Sequence, residues 1–238
     1  MKALASVTRR FFAELWSDAM LAALVFVPLV MGMVFRFGVP SLEVYLCDRF
    51  GRTALLMPYY PIFDLLLSLM TPIMFTAAGA MVILDEVDLG IARAISVTPV
   101  GRDGYLLSRI GAPVVLATVY CVAVTLVFRL SDMSVWRLVL LALCSGVLSI
   151  ASALMISSMA NNKVEGLAYS KLSGLFVLGL PMALLVPAPF VYASAFLPTY
   201  WMTELATGGS PWLAIPALIT GVLLSAAFAR HFLKKSLA

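Results

Sequence analysis

Charged residues divide this chain into apolar lengths that match a lipid bilayer rather than a water-facing core. A hydrocarbon layer about 30 Å thick needs roughly 20 apolar residues as helix. Uncharged or nearly uncharged runs of that order recur at about 19–35, 61–84, 110–128, 138–160, 172–192 and 212–230. Only 12% of the 238 residues are charged and 63% are hydrophobic, where a soluble domain carries about a quarter charged residues. So little polar surface cannot cover a globule in water. The expected fold is an all-α polytopic membrane protein with six transmembrane helices, forming a single transmembrane domain over 1–238.

The net charge of +4 does not point to nucleic acid, because the basic residues flank apolar runs instead of clustering on a polar face. They also set an orientation. With both termini inside, Lys2, Arg9, Arg10, Arg93, Arg102, Arg109, Lys163, Lys171, Arg230, Lys234 and Lys235 are inner, and Arg36, Arg49, Arg52, Arg129 and Arg137 are outer. The inner excess favours cytoplasmic ends, although the first outer loop holds three of the outer arginines. Lys2, Arg9 and Arg10 precede Glu14 and Asp18 with no short signal core behind them. Phe11, Phe12, Leu15 and Trp16 recur at helical spacing. This suits a helix over 1–18 lying on the inner surface, or a plain extension of span one.

The uncharged stretch Leu172–Thr203 is too long for one crossing and too short for two, and Pro181, Pro187, Pro189 and Pro198 break it. Span five is expected to end near Tyr192. Ala193–Pro211 then forms a re-entrant outer segment, with Tyr200, Trp201 and Trp212 suited to the interface.

Catalytic and metal chemistry find little footing. The P-loop pattern, GxSxG and HExxH are absent. Cys47, Cys121 and Cys144 lack metal-ligand spacing, and His231 is the only histidine. The acid nearest a span interior is Asp64, either an interfacial carboxylate or a substrate or proton-coupling group. Small residues favour close helix approach. Ser145, Ser149 and Ala153, and the run Ala77 to Ala80, therefore mark helix contacts, within the subunit or between subunits.

The segment 85–109 carries the most information. Asp85, Glu86 and Asp88 cluster where span two ends, and Gly90 can break that helix. Ile91, Ala94 and Ile95 flank Arg93 in a short amphipathic helix, and Thr98-Pro99 stops it. Such a helix fits a groove on a cytoplasmic partner, or is an ordinary connector.

This order resembles the membrane subunits of type-two ABC exporters. Their acidic E-x-E-x-G element, coupling helix, L-x-x-T-P and basic-ended helix correspond to Glu86, Asp88 and Gly90, then Ile95, Thr98 and Pro99, then Tyr105 to Arg109. Val87 and Ile91 stand where the family usually has a basic residue and Thr. Length, six spans, the amphipathic N-terminus, the re-entrant segment and Leu197-Pro198-Thr199 look most like small permeases of the fluoroquinolone-export kind.

The resemblance implies a permease subunit, not itself an enzyme, in a bacterial cytoplasmic membrane. It would pair with a second permease subunit (a second copy or a paralogue) and with two copies of a separate ABC ATPase. ATP and Mg would sit on that ATPase, with no cofactor on this chain. Glu86, Asp88, Gly90, Ile91, Ala94, Ile95, Thr98 and Pro99 would couple to it. A lipophilic substrate or drug would pass outward between the paired subunits. Asp64, Met70, Met74, Phe75, Phe176 and Met182 are candidates for that path, since flexible apolar side chains suit varied ligands. An ion- or proton-coupled carrier, or an ABC subunit exporting haem, lipid, peptide or polymer, remains the alternative.

The orientation has a direct check. A Cys at Val97 in a Cys-free chain is expected to escape an impermeant thiol reagent added outside intact cells. Labelling there would invert the topology.

Overall fold

The computed structural model describes residues 19–89 and 107–237. The helix expected over 1–18, and the loop residues Gly90, Ile91, Ala94, Ile95, Thr98 and Pro99, lie outside the described residues. Among the described residues the structure is helical, without strands. Helix α1 (Ala19–Met33) passes through a π-turn (Val34–Gly38) into α2 (Val39–Phe50). Helix α3 spans Tyr60–Asp88. A second π-turn (Leu107–Gly111) opens α4 (Ala112–Phe128), and α5 spans Val135–Met159. Helix α6 (Lys163–Leu172) tightens into a 3-10 stretch (Ser173–Leu178) and resumes as α7 (Gly179–Leu185). A 3-10 turn (Phe190–Ser194), α8 (Pro198–Ala206) and a 3-10 turn (Pro211–Leu213) lead to α9 (Ala214–Leu237).

Six helical stretches are long and apolar enough to cross a membrane: Phe26–Phe50, Met57–Glu86, Arg109–Phe128, Val135–Met159, Lys163–Leu185 and Pro211–Phe232. Three limits differ from the expected ones, one of them the end of span five, which comes at Leu185 and not near Tyr192. The first helix does not stop near Phe35 but runs to Phe50. Arg36, Glu43, Asp48 and Arg49 look like loop residues, yet a helix leaving lipid keeps its own backbone bonds in water. It ends only at Gly51, whose φ of 61° is the left-handed conformation that glycine tolerates. The fifth crossing starts at Lys163, where a connecting loop is expected. Asn162 caps it by accepting the Glu165 N–H at 2.9 Å, and Glu165 reaches back to the Asn161 N–H at 2.8 Å.

The core lies between α3, α4 and α5, with α9 against the far side of α5. Small residues make it possible. A Cβ at Gly146 would stand 2.3 Å from the Thr118 hydroxyl, so α4 and α5 touch there. Ser145, Ser149 and Ala153 are buried inside this subunit, as are Ala77, Ala78 and Ala80, which places these contacts within the chain. Buried hydroxyls use their own helix. Thr71, Thr125 and Ser145 donate to carbonyls four residues back, at 2.7, 2.7 and 2.8 Å. Pro72 in α3 cannot donate to the Ser68 carbonyl, and the Cys121 thiol of α4 does so instead at 3.3 Å.

The segment between the last two spans is re-entrant. Thr199, at the start of α8, donates its hydroxyl to the Phe176 carbonyl at 2.6 Å, midway along span five. The far end of α8 is held at the start of α5, where Arg137 donates to the Gly208 and Gly209 carbonyls at 3.3 and 3.0 Å. Helix α8 therefore begins deep in the bundle and ends at its rim, with Tyr200, Met202 and Leu205 buried. The regular helix of span five stops at Leu185, two residues before Pro187.

The α4–α5 contact generates a test. Gly146→Ala is expected to destabilise the detergent-solubilised protein by about 1–3 kcal/mol through overpacking. Adding Thr118→Ala should recover most of that loss in a thermal unfolding assay. No recovery would mean that the contact is not at Thr118.

Candidate functional site

The chain leaves α3 at Asp88 and returns at Leu107, so the feet of the 90–106 loop stand side by side at one end of the bundle. Glu86 sits in the last turn of α3 and Arg109 in the π-turn that opens α4. Arg109 Nε donates to Glu86 Oε2 at 3.0 Å and Nη2 donates to Glu86 Oε1, a two-pronged ion pair. The residues are only 3% and 2% exposed. In so dry a place the pair resists separation, since a charge pulled away from its partner loses attraction that water is not there to replace. A second, half-exposed bridge joins Lys163 Nζ to Asp85 Oδ2 at 2.8 Å, which ties the first turn of α6 to the same foot. A bridge that open to solvent adds little stability; it registers α6 beside α3.

Of the sequence-predicted coupling residues, Glu86 is thus placed in a buried clamp. Asp88 closes α3, its side chain outside the described residues. The clamp's other jaw, Arg109, was legible only as a basic end to the returning helix.

The candidate path residues do not gather into one lining. Asp64 is 2% exposed. It accepts the Leu130 and Ser131 N–H groups at 2.8 and 2.9 Å and also the Ser131 hydroxyl. Its two oxygens hold the α4–α5 turn at the end opposite the loop, which is the role of a structural anchor. Phe75 packs in the core against Tyr120, with ring centroids 6.5 Å apart, and Phe176 packs against Phe228 at 6.0 Å. Met70 and Met74 on α3, and Met182 on α7, are half-buried.

The rim opposite the loop is tied by further polar anchors that composition does not reveal. Arg36, in the first π-turn, donates to the Arg129 carbonyl at 2.7 Å and so joins α1 to the end of α4. Glu43 accepts the Leu55 N–H at 2.8 Å and the Leu56 N–H at 2.5 Å, which fixes the turn into α3.

A family model described as "Fluoroquinolones export permease protein Rv2686c-like" matches residues 11–233. Two relatives from Mycobacterium tuberculosis, the fluoroquinolones export permease proteins MT2760 of strain CDC 1551 and Rv2686c of strain H37Rv, are each 28% identical over 232 residues. The match covers 95% of this chain and 90% of each relative. No solved structure matches.

The clamp can be tested by removing one or both partners. Glu86→Gln is expected to cost about 3–5 kcal/mol in thermal unfolding, because it breaks a buried pair by removing the carboxylate that both prongs of Arg109 meet. The double variant Glu86→Met/Arg109→Met should recover most of this, since apolar replacement of a whole pair is often neutral. Equal loss in single and double variants would contradict a buried pair.

Proposed function

The chain belongs to the Rv2686c-like family of fluoroquinolone export permeases, and from that premise we propose that it is the membrane subunit of an ATP-driven drug exporter. Two copies, or one copy and a paralogue, form the path. Each docks a separate ABC ATPase that carries ATP and Mg. The loop end of the bundle faces the bacterial cytoplasm, with both termini there, and the cargo is a lipophilic small molecule of the fluoroquinolone class.

The observation that carries this reading is the Glu86–Arg109 clamp at the feet of the 90–106 loop. A loop that only connects two spans has no need of a buried two-pronged ion pair at its base. A loop that receives a push does. With its feet locked together, force on the helix expected at Ile91 to Val97 passes to α3 and α4 as a unit and is not absorbed by the loop. ATP favours the closed ATPase pair, and rigid coupling passes that preference to the spans, so the export equilibrium shifts. Asp85 and Lys163 extend the same connection to span five.

Ile91, Ala94 and Ile95 supply the apolar face for docking. Ile95→Asp puts a charge into that contact, and a desolvated charge without a partner is costly. The variant is expected to insert and fold normally, since the site lies outside lipid, yet lose co-purification with the ATPase or cargo-stimulated ATP hydrolysis. Ile150→Val in α5 should change neither. An Ile95→Asp chain that binds its ATPase and exports at the wild-type rate would make the loop a mere connector and sink the proposal.

A further inference from the structure

The buried apolar residues fall into two clusters stacked along the bundle. One, at the loop end, takes in Phe75 to Leu84 of α3, Ile110, Val114 and Ala117 beside them, and Ala153, Leu154 and Ile156 of α5. The other takes in Ile62, Leu65 and Leu69 of α3, Phe176 and Leu180 of span five, and Met202 and Leu205 of α8. Along α3 the two meet around Pro72. Along span five the regular helix is interrupted where it enters the second cluster, over Ser173–Leu178.

Pro72, within an unbroken α3, and the 3-10 stretch of span five lie at the same depth. A Cβ at Gly166 would meet Leu84 Cδ1 at 2.5 Å and the Met81 sulfur at 3.0 Å, which registers α6 against the last turns of α3. The two helices run in opposite directions. From Gly166, ten residues outward reach Phe176, and from Val82 ten residues outward reach Pro72, about 15 Å along either helix. Each place also departs from regular backbone bonding. Pro72 removes a backbone donor and leaves its carbonyl partner to a weak thiol bond from Cys121. In span five the 3-10 geometry replaces regular helix, which in mid-helix often marks a hinge. The Ser173 hydroxyl there bonds the Ser170 carbonyl at 2.6 Å, and a Cβ at Gly174 would meet nothing within 4 Å.

Either side of this level is stiff. Below it, Glu86–Arg109 and Asp85–Lys163 join α3, α4 and α6. Above it, α7 is locked to α8. A Cβ at Gly179 would meet the Tyr200 backbone nitrogen at 2.6 Å, and Thr199 ties the outer part of the 3-10 stretch to α8 through the Phe176 carbonyl.

We propose that Pro72 and Ser173–Leu178 form one hinge plane across neighbouring spans, on which the loop-end block of α3 and α6 tilts against an outer block made rigid by the re-entrant helix. The proposal rests on the transport reading for its purpose but not for its existence. A push at the loop then becomes a bend at mid-depth, and the outer rim stays closed around α8 while the inner half opens.

The test places spin labels on the intact chain in lipid nanodiscs, with Cys47 replaced by Ser. One pair, Val164→Cys with Leu185→Cys, spans the hinge. The other, Leu185→Cys with Ser210→Cys, lies within the outer block; all three positions are exposed. The hinge-spanning pair is expected to give a broad distance distribution and the outer pair a narrow one. Pro72→Ala with Gly174→Ala should narrow the first without lowering the unfolding temperature, and should slow drug export about tenfold. Pro28→Ala in α1 should do neither. Narrow distributions for both pairs in the unmodified chain overturn the hinge, whatever the chain transports. A stiffened chain that exports at the wild-type rate overturns its role. A broad hinge-spanning distribution in a chain that exports nothing leaves the hinge standing and refutes the export reading instead.

Discussion

The buried pair of Glu86 and Arg109 is the interaction on which the loop end of this bundle depends. A carboxylate and a guanidinium removed from water each lose several kcal/mol of solvation. Two parallel hydrogen bonds that match the planar fork of arginine offset that loss. The position of Arg109 follows from the π-turn over Leu107–Gly111. One extra residue in that turn rotates the arginine relative to the α-helix that follows, and π-turns recur where a helix must aim a functional side chain. The same device appears at the opposite rim, where the π-turn Val34–Gly38 carries Arg36 to the Arg129 carbonyl. In both places a widened turn spends regular hydrogen bonding to deliver one cation to one acceptor.

Between those ends the governing constraint is that lipid offers no hydrogen bonds. The chain meets it by turning its polar groups inward. Ser68 shares a hydrogen bond with Ser145 at 3.2 Å, and Thr76 reaches both the Pro72 carbonyl at 2.9 Å and the Ser149 carbonyl at 3.2 Å. These contacts sit where small residues let α3, α4 and α5 approach closely. The polar seam and the small-residue seam are therefore one feature: close approach brings the hydroxyls within reach, and it brings the Cys121 thiol to the Ser68 carbonyl that Pro72 leaves without its helix donor.

The six crossings were legible because charge in a span is costly, so charged residues punctuate the sequence at bilayer lengths. The same rule misled at Arg36 to Arg49, where charge marks the exit from lipid but not the end of the helix. At Lys163 the local signal was present and carried more weight than the charges: Asn162 followed three residues later by Glu165 is a helix start. Span five and its re-entrant partner were legible from proline spacing. The clamp was not, because Glu86 and Arg109 are 23 residues apart and a count of basic residues treats Arg109 only as a sign of orientation. Asp64 illustrates the converse. An acid near a span leaves two readings open in a sequence, an interfacial carboxylate or a coupling group, and the two backbone N–H groups of the α4–α5 turn that it accepts fit the first.

These particulars bear on how a permease of this size can transmit force. A helix bundle held only by apolar packing yields gradually, because side chains slide and rotamers adjust. Here the charged, directional contacts sit at the two ends, and the middle of α3 and of span five carries Pro72 and the 3-10 stretch, tied to their neighbours by neutral hydroxyl and thiol bonds. Stiff ends joined by a soft middle divide any displacement unevenly: the ends move as bodies and the bend collects where hydrogen bonding is already poor. On the proposed coupling, the conversion of a push on a short loop into a change at mid-membrane would need no long relay of side chains. It would need only that the feet of the loop stay together, which is what Glu86 and Arg109 ensure.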